Sequence, residues 1–226
     1  MVQINLQHRE LTMKVVYYGP ALSGKTTNLT ALHALAPKPN VGRLMSLDTR
    51  DDRTLFFDML PVTFETEAGF RIKIKLLTVP GQVIHRSTRQ VILQGADAIA
   101  FIADSQLSET EANKQAFRDL AENLAAGGLP VDIPMVVQFN KRDLPNIRTD
   151  AELGRFAQER AVEVVPAIAI RGVGVRETFE VLLSTGFAYL EHNFGAATKL
   201  GIQSDNFSKA FFANWSTADD IWGDQT

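Results

Sequence analysis

Along this chain, short wholly apolar runs alternate with longer stretches whose apolar positions recur every three or four residues. The first pattern marks strands buried on both faces and the second marks amphipathic helices. Their alternation predicts βα units on a mostly parallel sheet. MKVVYY from Met13 reads as a buried strand that enters a glycine-rich loop and then a helix over Lys25–Leu35. VTFET from Val62 and FRIKIKLLTV from Phe70 flank a turn at Glu67-Ala68-Gly69 and predict a hairpin. In its second arm Ile72, Ile74 and Leu76 alternate with Arg71, Lys73 and Lys75, which predicts one wet face and an antiparallel edge to the sheet. AIAFIAD (Ala98 to Asp104) and MVVQFN (from Met135) are further buried strands, and VVPAIAI from Val164 is expected to be the last. Ser108 with Glu111, and Thr149 with Glu152, have the spacing of capping boxes at the starts of two helices, the first running from about Glu109 to Leu124. A helix from about Val175 to Phe194 is expected to close the domain.

From about Gly195 the chain becomes polar and poor in aliphatic residues, yet it holds both tryptophans, Trp215 and Trp222. Phe207, Phe211, Phe212 and Trp215 fall at helix-compatible spacing. Residues 195–226 therefore read as an extension outside a domain of residues 1–194, a segment that docks on a partner or on the domain itself. Disorder is the alternative, and the aromatic content counts against it.

Composition narrows the field. A length of 226 residues suits one α/β domain, and 45% hydrophobic with 22% charged residues is ordinary for a globular core. A net charge of −3 lacks the basic footprint that nucleic-acid or anionic-membrane binding needs. The absence of cysteine excludes disulfides, thiolate metal sites, prenylation and palmitoylation. MVQINLQHREL has no signal-peptide core, and no apolar run reaches membrane-spanning length, so a cytoplasmic protein is expected.

Three motifs carry chemistry. Gly19-Pro20-Ala21-Leu22-Ser23-Gly24-Lys25-Thr26 is a complete P-loop between a strand and a helix. Its glycines let backbone N–H groups close around phosphate oxygens, Lys25 reaches the β- and γ-phosphates, and Thr26 offers a hydroxyl to Mg²⁺. Gly19, Ala21, Leu22, Ser23, Gly24, Lys25, Thr26 and Thr27 are the candidate nucleotide contacts here. Asn140-Lys141-Arg142-Asp143 follows a buried strand, at the end where open α/β sheets bind ligands. Guanine presents N1–H and an exocyclic amine side by side, and the Asp143 carboxylate can accept both. Against adenine it would be left unpaired. Asn140 is expected to hold the base edge and brace the P-loop, with Lys141 beside it. Pro80-Gly81-Gln82 ends the hairpin strand, where the Gly81 N–H can bond the γ-phosphate and Gln82 can orient the attacking water.

Together VYYGPALSGKTTN, DRTLFFDMLP (Asp52 to Pro61), TVPGQ (Thr78 to Gln82) and FNKRDLPN resemble the MglA-type Ras-like small GTPases of bacterial gliding motility and cell polarity. The resemblance covers roughly residues 1–194. It implies a Ras-like fold, cycling between GTP and GDP with Mg²⁺, action at a cell pole, and activation by a Roadblock-type partner, MglB. It implies that Thr54 meets Mg²⁺ and the γ-phosphate in the GTP state. It also implies that Arg53 serves as a catalytic finger beside Gln82 and Lys25, and that the Ala169 N–H faces the guanine carbonyl. Most Ras-like proteins carry Asp where this chain has Thr78, a threonine shared by the MglA type. Asp58 reads either as the carboxylate that supports Mg²⁺ through water in its place, or as a capping or surface residue. Ala21 stands where the family usually has glycine, close to where Gln82 must place water. Slow hydrolysis is therefore expected, and a GTP-locked pseudo-GTPase scaffold is the alternative. An ATP-using P-loop kinase is a further rival, against which Asn140 and Asp143 argue.

Overall fold

The computed structural model describes residues 2–5, 7–48, 56–66, 69–80, 86–130, 132–195 and 204–223. Eight strands form one sheet: β1 Gln3–Asn5, β2 Glu10–Tyr18, β3 Met45–Asp48, β4 Phe56–Glu65, β5 Arg71–Thr78, β6 Ala98–Asp104, β7 Met135–Asn140 and β8 Glu163–Pro166. Their order is β3-β4-β5-β2-β6-β7-β8, with β1 antiparallel to β2. Strands β5, β2, β6, β7 and β8 run parallel, whereas β4 is antiparallel to β5 and β3 to β4. The architecture is α/β with a mostly parallel sheet and one antiparallel edge, as expected of a Ras-like P-loop GTPase.

Among the described residues the α-helices are α1 Lys25–Leu35, α2 Arg86–Leu93, α3 Thr110–Ala126, α4 Asp150–Arg160, α5 Val175–Phe194, α6 Ser204–Phe212 and α7 Ala218–Trp222. Every residue of β6 is buried, the mark of a strand covered on both faces. Alternation then divides the core in two. Leu11, Met13, Val15 and Tyr17 of β2 point to one face, with α1, α5 and the aromatic residues Phe211, Phe212 and Trp215. Val16 and Tyr18 point to the other, with Ile92 and Leu93 of α2, Leu120 of α3 and Leu153 of α4. In β5, Ile72, Ile74 and Leu76 are buried while Arg71 and Lys75 are exposed, so the hairpin has its wet face.

Two expectations are corrected. No capping box of Ser108 and Glu111 forms. Ser108 lies inside a 3₁₀ turn, Leu107–Glu109, and α3 starts after it without a side-chain cap. The Leu107 N–H donates to Asn146 O at 2.9 Å, which ties this segment to the loop after β7 and delays the helix. The last strand is also shorter than VVPAIAI suggests. β8 stops at Pro166 because its neighbour β7 stops at Asn140, and Ala169–Arg171 instead form a 3₁₀ turn. Thr149 and Glu152 do form a reciprocal capping box on α4.

Candidate nucleotide-binding site

The loops after β2, β7 and β8 meet at the carboxyl edge of the parallel sheet, where such folds bind ligands. In the first loop, a Cβ on Gly19 would lie 2.2 Å from Ile102 O, and one on Gly24 would lie 2.2 Å from Asn140 Nδ2. Both glycines have positive φ, and only a bare backbone passes this close to β6 and to Asn140. Leu22, also at positive φ, points its side chain outward and is 89% exposed. No side chain caps α1 and its first turn has no acid, so its N-terminal N–H groups and dipole are left for an anion.

Lys25 is buried, and its Nζ donates to the carbonyls of Gly19 at 3.1 Å and Pro20 at 2.6 Å. Carbonyls satisfy its protons without neutralising its charge. Burial therefore pushes the ammonium down to about 8; the Arg89 charge acts in the same direction, and Asp58 opposes both. Ser23 is fully buried, and its Oγ has no hydrogen-bond partner among the described residues. Ala21 and Thr26 are exposed and Thr27 is half-buried.

Asp58 lies near the start of β4, which runs antiparallel to β5 and so begins at the edge where the parallel strands end. It is 2% exposed, and its carboxylate accepts hydroxyl bonds from Thr26 (2.6 Å), Ser46 (2.7 Å) and Thr78 (3.0 Å). The Thr78 hydroxyl in turn accepts the Asp58 N–H at 2.9 Å. A row across three strands thus carries Ser46, Asp58 and Thr78, with Thr26 of α1 above it. No lysine or arginine among the described residues forms an ion pair with Asp58. A buried carboxylate among hydroxyl oxygens is a hard, all-oxygen donor set that fits Mg²⁺. Among the described residues no group of three or more His, Asp or Glu is placed to hold a metal.

On the base side, Asn140 Nδ2 donates to Ser23 O at 2.8 Å, and its Oδ1 accepts the Ala169 N–H at 2.8 Å. One buried side chain therefore joins the P-loop to the Ala169–Arg171 turn. Lys141 has positive φ and pairs with the buried Asp104 at 2.6 Å, which holds its stem along the site. Asp143 is exposed at the mouth. Arg142 fastens the loop from behind: its N–H donates to Ala167 O at 3.0 Å, and its guanidinium bonds Arg148 O and Asp150.

Beneath these loops lies a polar network that sequence reading missed. Asn28 of α1, Gln138 of β7 and Thr178 of α5 are all fully buried. Asn28 and Gln138 exchange a pair of amide bonds at 2.8 and 2.9 Å, and Gln138 also donates to Thr178 at 2.8 Å. Asn28 donates further to Gly24 O, and Thr178 to Gly174 O, so the network ends on the backbone of both loops. The available signal was one polar residue, Gln138, inside an otherwise apolar strand. The expected residues Arg53, Thr54, Gly81 and Gln82 lie outside the described residues. Among the described residues, no helix is long and apolar enough to cross a membrane.

Comparison with known proteins gives one relative of direct use. The chain is 44% identical over 180 residues to the mutual gliding-motility protein MglA of Myxococcus xanthus (strain DK1622), across 79% of this chain and 92% of that protein. No protein-family model matches the chain.

Proposed function

The chain belongs to the MglA family of small GTPases, and from that premise we propose that it is a regulated GTP/GDP switch for cell polarity or motility. It binds guanine nucleotide with Mg²⁺, hydrolyses GTP slowly alone, and is accelerated by a Roadblock-type partner similar to MglB. It works in the cytoplasm and is recruited to a cell pole. The observation that carries this reading is Asn140, which bonds the phosphate loop at Ser23 O and the base loop at Ala169 N. A side chain in that position couples recognition of the two ends of one ligand.

In this reading Asp143 accepts guanine N1–H and the exocyclic amine, and the Ala169 N–H turns to the guanine carbonyl. Lys25 leaves its two carbonyls for the phosphates. The Thr26 and Thr54 hydroxyls, with Asp58 behind them, would hold Mg²⁺, which would supply charge neutralisation for the phosphates. Gln82, with Gly81 on the γ-phosphate, orients a water whose oxygen bonds to γ-phosphorus as the bond to the β,γ-bridging oxygen breaks. GDP and inorganic phosphate result. Arg53 and Lys25 stabilise the charge that develops between them.

The test is single-turnover hydrolysis of Mg-GTP by the full chain, with and without a Roadblock-type protein from the same genome. Slow turnover that the partner accelerates is expected. Arg53→Ala is expected to keep GTP affinity and lose about tenfold or more of the stimulated rate, ~1.4 kcal/mol of barrier. Tight GTP binding without turnover in either condition would instead establish a GTP-locked scaffold.

A further inference from the structure

Residues 204–223 pack on the same face of the sheet as α1 and α5, and they reach the last turn of α1 and the turn at Gly172. Phe211, Phe212 and Trp215 are buried around Phe179 of α5, with ring centroids 5.6 to 5.8 Å from it. Arg176 of α5 donates to the carbonyls of Trp215 at 3.1 Å and Phe212 at 3.2 Å, and its guanidinium lies 5.6 Å from the Phe212 ring. It thereby satisfies carbonyls at and beyond the end of α6. The Ser216 N–H donates to Leu35 O, in the last turn of α1, at 3.0 Å. A capping box of Thr217 and Asp220 then opens α7 and directs it back toward the base loop.

At the end of α7, the Trp222 indole stands against the backbone of Gly172. A Cβ on Gly172 would lie 2.3 Å from Trp222 Cζ3 and 2.9 Å from Cε3 and Cη2. Gly172 closes the Ala169–Arg171 turn, since its N–H donates to Ala169 O at 3.1 Å, and its φ of +70° reverses the chain. The Arg171 N–H donates to Ile168 O at 2.9 Å and the Ile168 N–H to Val173 O at 2.9 Å, so the backbone closes the turn on itself. Asn140 adds a bond from the inside through the Ala169 N–H, and Trp222 packs on its outside.

We propose that the C-terminal segment is a built-in brace of the guanine site, with Trp222 as the positioning residue that holds the Ala169–Gly172 turn against the base. The inference rests on the reading that the Ala169 N–H meets the guanine carbonyl. It adds that nucleotide residence time is set partly by a segment outside the nucleotide-binding motifs. Undocking the brace frees the turn and speeds nucleotide release, and docking slows it.

The test compares full-length protein with Trp222→Ala and Trp222→Phe by following release of ribose-labelled GDP, and of the matching 2-aminopurine nucleotide, which lacks the 6-carbonyl and with it the N1–H that Asp143 would accept. The wild type is expected to release the carbonyl-free nucleotide faster. Trp222→Ala is expected to release GDP about tenfold faster, the scale of ~1.4 kcal/mol of positioning, and to change release of the analogue little. Trp222→Phe, which keeps an aromatic face on Gly172, should restore slow GDP release. Unchanged GDP release from Trp222→Ala, with the wild type still separating the two nucleotides, would overturn the brace alone. Equal acceleration of both nucleotides would also overturn it, because that is general loosening. Equal release of the two by the wild type would overturn the base reading and the brace with it.

Discussion

The Thr26 hydroxyl donates to the Asp58 carboxylate across 2.6 Å, which joins the first turn of the phosphate-loop helix to a strand that is not its sheet neighbour. Thr78 holds the other side of the same carboxylate oxygen at 3.0 Å. This carboxylate thus sits on β4, one strand outward from Thr78, the position where most Ras-like proteins carry Asp. The hydroxyl at Thr78 steers the carboxylate without adding a second charge.

Asp58→Asn should therefore keep the shape of this row and remove its charge. Outer-shell partners of a metal commonly tune affinity by about 10- to 100-fold. Release of labelled GDP at limiting Mg²⁺ is expected to quicken about tenfold, with the difference shrinking at saturating Mg²⁺. Identical release at every Mg²⁺ concentration would leave Asp58 with a purely structural role.

Asp143→Asn should change which purine the site prefers. Xanthine carries a carbonyl where guanine carries its amine, so an amide donor matches xanthine and mismatches guanine. GTP affinity is expected to fall by about a hundredfold or more while xanthosine triphosphate gains. Competition against labelled GDP reads both. A variant that holds GTP as tightly as the wild type would mean that the base lies elsewhere.

Lys25 makes a prediction about pH. Its ammonium titrates at about 8 in the folded protein against an ordinary 10.5. Below pH 8 both folded and unfolded chains hold the proton, and the penalty for burying the charge is fully present. Between about 8 and 10.5 the unfolded chain holds more protons than the folded one. This group's contribution therefore makes the nucleotide-free protein more stable as pH rises through that window. Lys25→Met should remove that share of the slope. Triphosphate next to Lys25 restores the charge, so nucleotide binding at pH 8 should take up about half a proton. Calorimetry in buffers of different ionisation enthalpy measures this, and binding without proton uptake would separate Lys25 from the phosphates.

What could be read from sequence follows the range over which each signal acts. The bounds of α1, α5, β6 and β7 agree with the structure because burial period, glycine loops and apolar runs are local signals. β1 and β3 were not anticipated, since strands of three and four residues are too short to show a period. Ser108 has the spacing of a cap, but the Leu107–Asn146 bond from a distant loop decides where α3 begins. The P-loop and the Asn140–Asp143 motif were legible as motifs. The pairing of Lys141 with Asp104, the Asn28–Gln138–Thr178 network and the seat of Trp222 on Gly172 were not. Each joins residues tens of positions apart, and no periodicity in a single sequence records such a pairing.

The row of Ser46, Asp58 and Thr78 exists only in one alignment of the antiparallel edge, with Ser46 opposite Asp58 and Met59 opposite Leu77. That alignment is enforced at the far end of the hairpin, where Thr66 N–H meets Phe70 O at 2.8 Å. Asp58 and Glu65 are separated by about 23 Å of strand at roughly 3.3 Å per residue. A turn longer or shorter by one residue would slide β4 along β5, sending Asp58 to the opposite face and bringing Phe57 or Met59 into its row. The length of the hairpin turn is in this sense a gauge block: it fixes where β4 presents the Asp58 carboxylate.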